Sequence, residues 1–206
     1  MFKQIILGII QGVGEWLPVS SSGLLVLAQT RLFNRTELSG MIKTAFFLLV
    51  GSFLAALICF RRGIPPLLRP GNKKFREFLV FSTLISGGLG YLLLKVIVGF
   101  ESSFEITGKV VTGLIGLLLM ITGILQLWKN EERSRRIEDL DIKDALLFGV
   151  VQGLAVLPGF SRAGLTIAVL LFRRVEKYSA LKISFLGGLP IIFAGNILLN
   201  INKFSL

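Results

Sequence analysis

The sequence contains no histidine, one cysteine and few acidic residues, and these shortages exclude several kinds of chemistry. Without histidine, the usual proton shuttle near neutral pH and every phosphohistidine mechanism are excluded. The one cysteine, Cys59, lies in an apolar run, so neither a disulfide framework nor a thiolate metal site is available. Aspartate and glutamate number only 12 among 206 residues, against 23 lysines and arginines.

The composition indicates an integral membrane protein. Hydrophobic residues make up 53% of the chain, charged residues 17%, and the mean hydropathy is +0.77. A soluble domain this apolar could not cover its own surface with polar groups. The net charge of +11 does not indicate nucleic-acid binding, because the basic residues sit in short loops between apolar runs, where they set orientation in the bilayer.

Two polar segments interrupt the apolar runs and resemble each other. The first, residues 8–24, reads GIIQGVGEWLPVSSSGL, and the second, residues 149–166, reads GVVQGLAVLPGFSRAGLT. Gln152 follows Gln11 by 141 positions, and the same offset relates glycines and serines of the two segments. The prolines slip by one position between these anchors, so the pattern is typical of a diverged internal repeat.

The apolar runs predict a polytopic all-α fold. Four runs are long enough to span a bilayer: 41–60, 78–100, 110–128 and 183–201. The motif segments 2–29 and 145–172 are also apolar, but proline breaks each of them, and a serine run also interrupts the first. Because broken backbone at membrane depth must be buried in protein or face water, we predict two re-entrant hairpins. A single kinked spanning helix is the alternative for the first segment.

The predicted domain is one membrane unit, residues 1–206, built as an inverted repeat. A first repeat covers residues 1–128 and a shortened second repeat covers 145–206. Three spans separate the two hairpins, so the hairpins should enter from opposite faces and meet near the midplane. Inverted repeats with broken helices place a binding site where the repeats meet. The basic loops 61–76 and 129–144 indicate the cytoplasmic side.

Glu15 and Arg162 are the candidate functional charges. An ionisable residue within the membrane is costly and usually faces a cavity or a partner. Glu15 is therefore a candidate general base or ligand of a divalent cation, and the alternative is a structural ion pair with Arg162. The guanidinium of Arg162 precedes a helix start, and both features suit an anion such as phosphate.

Hydroxyl and amide groups surround these two charges in the sequence. The hydroxyls could donate to an anion or could cap helices, and they belong to Ser20, Ser21, Ser22, Ser161 and Thr166. Gln11 and Gln152 could contact a ligand or could pack between helices. Glycines such as Gly159 permit a close approach of backbone to a ligand. Together these groups predict an oxyanion pocket for a phosphorylated ligand.

The two motifs resemble those of a known family. The segment QGVGEWLPVSSSG at 11–23 resembles the first signature of the undecaprenyl-diphosphate phosphatase (bacitracin-resistance) family, and PGFSRAGLT at 158–166 resembles the second. The resemblance implies a hydrolase of the cell membrane that converts undecaprenyl (polyprenyl) diphosphate to the monophosphate and phosphate at the outer face. It also implies recycling of the lipid carrier for peptidoglycan synthesis, effects on cell shape and antibiotic resistance, and help from Mg²⁺ or Ca²⁺.

The resemblance also implies roles for individual residues. Glu15 matches the catalytic carboxylate and metal ligand, Arg162 matches the phosphate-binding arginine, and Ser21 matches a hydroxyl that takes part in catalysis. Ser161 and Thr166 match further hydroxyls of the family's pocket.

The chain departs from the family pattern in three ways. Gln11 stands where the family usually has a second glutamate, Leu24 stands where it usually has a histidine, and the second half has one clear span where the first has three. A flippase that moves a phosphorylated polyprenyl lipid without hydrolysis is therefore an alternative function. A non-catalytic chain that completes its fold as a homodimer is a third.

Overall fold

A computed structural model describes residues 2–35, 37–62, 72–103, 108–127 and 134–201. These residues form eight α-helices and one short 3₁₀ helix, which confirms the predicted all-α class. The helices, in chain order, are α1 (Phe2–Gly14), α2 (Ser21–Phe33), α3 (Leu38–Phe60), α4 (Lys73–Ser103), α5 (Gly108–Gln126), the 3₁₀ helix (Ile137–Asp139), α6 (Ile142–Leu154), α7 (Arg162–Phe172) and α8 (Lys177–Ile201).

Four of these helices are long and apolar enough to cross a membrane, so the protein is a multi-pass membrane protein. The candidate spans are Gly40–Phe60, Lys73–Ile97, Lys109–Gln126 and Lys177–Ile197. Each overlaps a span predicted from the sequence. The spans in α4 and α8 begin five and six residues before the predicted starts, because basic side chains at helix ends can extend toward the interface. Residues 63–71, 104–107 and 128–133 lie outside the described residues, so the orientation inferred from those loops stays a prediction.

Each motif segment forms two short helices joined by a turn. Helix α1 ends at Gly14 and α2 begins at Ser21, and the second pair breaks likewise between α6 and α7. Proline in each turn cannot continue a helix, and a serine starts the next one. Ser20 accepts a hydrogen bond from the Gly23 amide at 3.1 Å, and Ser161 accepts one from Gly164 at 3.1 Å. The broken-helix hairpins are therefore built from the same local chemistry.

Helix α6 packs closely against α4 through two glycines one helical turn apart. A Cβ atom on Gly149 would lie 2.8 Å from the Cβ of Ile85, and one on Gly153 would lie 3.0 Å from that of Leu89. Small residues at this spacing let two membrane helices approach each other closely. Gly8, which matches Gly149 in the repeat, has no atom within 4 Å of an added Cβ among the described residues. The two repeats thus use the same glycine differently.

An ion cluster joins the ends of the second hairpin away from its turn. The fully buried Asp144, near the start of α6, accepts hydrogen bonds at 2.6 Å from both Arg135 Nη2 and Arg173 Nε. Burial alone would raise the pKa of Asp144, but the hydrogen bonds from these two arginines hold its pKa below the usual value. Because Arg173 follows α7, the cluster fixes the start of α6 to the end of α7.

Candidate active site

The turns of the two hairpins touch each other. The Ser20 hydroxyl oxygen accepts from the Gly159 amide at 3.1 Å, in addition to capping its own helix. Gly159 has a φ of +115°, a conformation that side chains rarely adopt, and it packs against Ile115 of α5. A Cβ atom on Gly23 would lie 3.0 Å from the Gly159 amide nitrogen. Gly159 in the second turn and Gly23 at the start of α2 therefore permit the contact.

The Glu15 carboxylate lies at this meeting point and accepts three side-chain hydrogen bonds. Arg162 Nη2 donates to Glu15 Oε1 at 2.6 Å. Ser21 Oγ donates to Glu15 Oε2 at 2.7 Å, and Gln11 Nε2 donates to the same oxygen at 3.0 Å. Glu15 is 9% exposed, so its charge is balanced by these donors rather than by bulk water. The structure thus brings together Gln11, Glu15 and Ser21 around the first turn with the arginine of the second.

Arg162, the first residue of α7, keeps donor groups for a ligand. Besides its bond to Glu15, it donates through Nη1 to the Ser184 carbonyl oxygen at 3.4 Å. Its Nε has no hydrogen-bond partner among the described residues, although that atom is buried. A guanidinium carries five N–H donors, so Arg162 can still bind an anion while it stays paired with Glu15.

A cavity of about 430 Å³ opens beside this pair. Its walls are apolar and come from α3, α4 and α8, including Ile42, Leu94 and Ile191. Its polar lining includes Gln11, Glu15, Ser21, Ser22, Gln152, Ser161 and Arg162. Both α2 and α7 begin at this cavity, and helix N-termini present free amides and the positive end of the helix dipole. The cavity therefore combines apolar walls with one end that carries the guanidinium of Arg162 and two helix N-termini.

The predicted hydroxyls divide into two groups. Ser21, Ser22 and Ser161 line the cavity, and Ser161 is also the N-cap of α7. Thr166 is fully buried behind Arg162, where its hydroxyl donates to the Arg162 carbonyl oxygen at 2.7 Å and lies 2.7 Å from Ser184 Oγ. The Ser20 hydroxyl oxygen likewise accepts hydrogen bonds from two backbone amides. The substrate contacts predicted for Ser20, Thr166 and Gly159 stay predictions.

The two repeat-related glutamines both line the cavity but hold different partners. Gln11 supports Glu15, whereas Gln152 donates to Ser86 Oγ at 3.1 Å and to the Gly187 carbonyl oxygen at 3.4 Å. The Oε1 atom of each glutamine is buried and has no partner among the described residues. Gln152 therefore connects α6 to α4 and α8, which was the alternative interpretation, whereas Gln11 bonds Glu15 at the end of its own helix.

Several contributing residues were missed in the sequence. Ser184, Gly187 and Gly188 of α8 contact the second hairpin, and Ser86 of α4 contacts Gln152. The available signal was a serine and a glycine pair ahead of Pro190 in an otherwise apolar span. Small residues of this kind in an apolar helix indicate a close packing contact, but they do not show which residue makes it.

The ligand set does not fit a resident divalent cation. Among the described residues, no group of three acidic, histidine or cysteine side chains could hold a metal ion. Glu15 is the one acidic side chain among the described residues of the cavity lining, and both its oxygens already accept hydrogen bonds. The unpartnered Gln11 Oε1 is a neutral oxygen and adds no charge.

The fold and site define a polytopic helical membrane protein with a cavity beside the Glu15–Arg162 pair, where two broken-helix hairpins meet. A family model described as Bacitracin resistance protein BacA matches residues 4–205. The chain belongs to this family.

Curated relatives cover most of the chain. A protein named undecaprenyl-diphosphatase from Methanococcoides burtonii is 36% identical over 208 residues, which is 95% of this chain and 76% of the relative. A protein of that name from Methanothrix thermoacetophila is 36% identical over 190 residues, covering 92% and 72% of the two chains. One from Methanococcus maripaludis is 36% identical over 201 residues, covering 95% and 77%.

Proposed function

We propose that the protein is an integral membrane phosphatase that hydrolyses undecaprenyl or a related polyprenyl diphosphate to the monophosphate and inorganic phosphate. The observation that carries this proposal is the convergence of Arg162 and two helix N-termini on one apolar cavity. Family membership and the name shared by the relatives support the same substrate.

The cavity suits the two unlike ends of such a substrate. The diphosphate would lie against Arg162 and the N-termini of α2 and α7, where amides and guanidinium N–H groups offer donors. The apolar walls would contact the first part of the prenyl chain. The cavity volume of about 430 Å³ is within the range of ligand pockets. A long polyprenyl chain would continue from the cavity into the bilayer.

In this proposal Ser21 is the nucleophile and Glu15 is its base. The Ser21 hydroxyl donates to Glu15 at 2.7 Å, which is the geometry that activates a serine. Its oxygen would attack the terminal phosphorus while the proton passes to Glu15. The phosphoanhydride bond then breaks, and the polyprenyl monophosphate leaves with the proton from Glu15, which returns Glu15 to its carboxylate form. Water, activated by Glu15, would release phosphate from the serine.

Arg162 would stabilise the charge that develops on the transferred phosphoryl group. Removing one such donor from an active site typically lowers the rate by about 10²–10³-fold. Its pairing with Glu15 fixes the guanidinium beside the reacting group before the substrate binds. Gln11 has the further role of holding Glu15 in place, through its 3.0 Å hydrogen bond.

We propose that a divalent cation, where one assists, enters on the diphosphate oxygens rather than as a resident ion. Mg²⁺ is commonly held by one or two carboxylates together with substrate phosphates and water, and Glu15 is the one carboxylate among the described residues that line the cavity. The rate of phosphate release would then depend on the concentration of the metal–substrate complex.

The cellular setting is part of the same proposal. The protein would lie in the plasma membrane with the site open to the outer side, as the basic loops and the family resemblance suggest. A homodimer is part of the same proposal.

The direct test is phosphate release from undecaprenyl diphosphate by the purified protein in lipid nanodiscs. The proposal predicts release by the wild type and loss of about 10²-fold or more in Glu15→Gln and Arg162→Ala. Movement of the lipid between vesicle leaflets with no phosphate release would instead select the flippase. Wild-type release that both variants retain in full would contradict the assigned site.

A further inference from the structure

Helix α8 lacks a side chain at the position where it passes the guanidinium of Arg162. A Cβ atom on Gly188 would overlap Arg162 Nη1 and would lie 2.6 Å from its Cζ. Cβ atoms do not approach other heavy atoms that closely, so any other residue at position 188 requires the guanidinium to move. Gly188 lies in a regular helix, where glycine is less favourable than alanine. Space, rather than backbone conformation, explains this glycine.

The guanidinium has little freedom to move while it keeps its partners. It bridges from Glu15 Oε1, 2.6 Å from Nη2, to the Ser184 carbonyl oxygen, 3.4 Å from Nη1. Its Cα is fixed at the start of α7, whose Thr166 hydroxyl also lies 2.7 Å from Ser184 Oγ. Displacing Nη1 from α8 would therefore shift Nη2 relative to Glu15.

The neighbouring glycine has a different role. A Cβ atom on Gly187 would lie 2.7 Å from Cζ of the Phe148 ring, which belongs to α6. Gly187 thus makes room for an apolar packing contact, whereas Gly188 makes room for a charged group. The pair provides a matched comparison on one helix.

We propose that Gly188 is a positioning residue for Arg162, which sets where the guanidinium lies relative to Glu15 and the bound anion. The kinetic consequence rests on the proposed function, but the steric relationship does not. The two can therefore be tested separately.

The first experiment is a double-mutant cycle on the midpoint of thermal unfolding of the full chain in detergent. Gly188→Ala should lower the midpoint in the wild-type background but have little effect in the Arg162→Ala background, where the methyl group occupies the space the guanidinium leaves. Gly187→Ala should lower the midpoint in both backgrounds. Gly123→Ala, where an added Cβ meets nothing within 4 Å among the described residues, controls for the helix-propensity effect.

The second experiment measures phosphate release by the same variants. Gly188→Ala should lose about 10²-fold, as Arg162→Ala does, with the loss in the same kinetic parameter, kcat or KM. The double variant should lie within about twofold of Arg162→Ala alone, because the glycine acts only through the arginine.

The outcomes separate the two claims. A wild type that releases no phosphate would contradict the proposed function, while the unfolding cycle would still test Gly188. Equal drops in the midpoint for Gly188→Ala in both backgrounds, or wild-type midpoint and activity in Gly188→Ala, would overturn the positioning role. If Gly188→Ala alone does not fold, recovery of folding in the double variant supports the proposal, and failure in both contradicts it.

Discussion

Glu15 and Arg162 lie 147 positions apart in the chain, yet their side chains form an ion pair with 2.6 Å between Glu15 Oε1 and Arg162 Nη2. The contact joins the end of α1 to the start of α7, so it links the two halves of the repeat. A buried pair of this kind is weak evidence of net stabilisation, because both charges lose their hydration. Its effect is to hold a carboxylate and a guanidinium side by side where a substrate can reach them.

The ion pair makes an asymmetric prediction about stability. Arg162→Ala leaves the buried Glu15 carboxylate without its cation and should destabilise the fold by about 3–5 kcal/mol. The double variant Glu15→Gln/Arg162→Ala removes both charges and should be more stable than Arg162→Ala alone. Chemical unfolding followed by circular dichroism in detergent measures both. Equal free energies of unfolding for Arg162→Ala and the double variant would mean that the ion pair with Arg162 does not balance the charge of Glu15.

Ser21 should carry the transferred phosphoryl group. Ser21→Ala removes the hydroxyl that donates to Glu15, so the rate of phosphate release should fall by about 10²-fold or more. Wild-type protein quenched during turnover of substrate labelled with ³²P on its terminal phosphate should retain label on the Ser21 peptide. A Ser21→Ala variant with the wild-type rate would show that water attacks directly.

The repeat-related glycines Gly149 and Gly8 should respond differently to the same change. Gly149→Ala places a Cβ atom 2.8 Å from Ile85 Cβ and should destabilise the fold by about 1–3 kcal/mol. Gly8→Ala meets open space among the described residues and should be neutral or stabilising by up to about 1 kcal/mol. Thermal unfolding of the two variants tests the pairing of α4 with α6. Equal effects would contradict it.

Asp144 should make stability depend on acid. Because the pKa of Asp144 is lowered in the folded state, its contribution is fully present above its unfolded pKa of about 3.9 and is lost as pH falls through the lower folded pKa. Asp144→Asn should therefore be less stable near neutral pH and should lose less stability on acidification. Unfolding midpoints from pH 7 to pH 3 test this, with the exposed Glu138→Gln as control. Parallel pH profiles for wild type and Asp144→Asn would contradict a stabilising role for the ion cluster around Asp144.

The sequence was sufficient to predict the helical class, the four spans and the residues of both turns. Polar and ionisable residues inside apolar runs are costly, so their presence marked the segments around Glu15 and Arg162 as the site. The three spans between the two hairpins then indicated that the hairpins should enter from opposite faces and meet. These inferences depend on local composition, which the sequence shows directly.

The sequence did not show which way each side chain faces. Thr166 lies one helical turn after Arg162, and its hydroxyl bonds the Arg162 carbonyl oxygen and approaches Ser184. A hydroxyl in a motif does not reveal whether it faces the cavity or the helix behind it. Gly188 was missed for a related reason, because an absent side chain has meaning only when its neighbour in space is known.

The most direct test of the central claim is binding of a non-hydrolysable prenyl methylenediphosphonate to the purified protein in nanodiscs, measured by calorimetry. The account predicts saturable one-site binding by the wild type that weakens about tenfold or more in Arg162→Ala, because charge-assisted hydrogen bonds to the anion are lost. Unchanged affinity in Arg162→Ala, or equal affinity for the prenyl alcohol that lacks the diphosphate, would contradict an anion site between the hairpins.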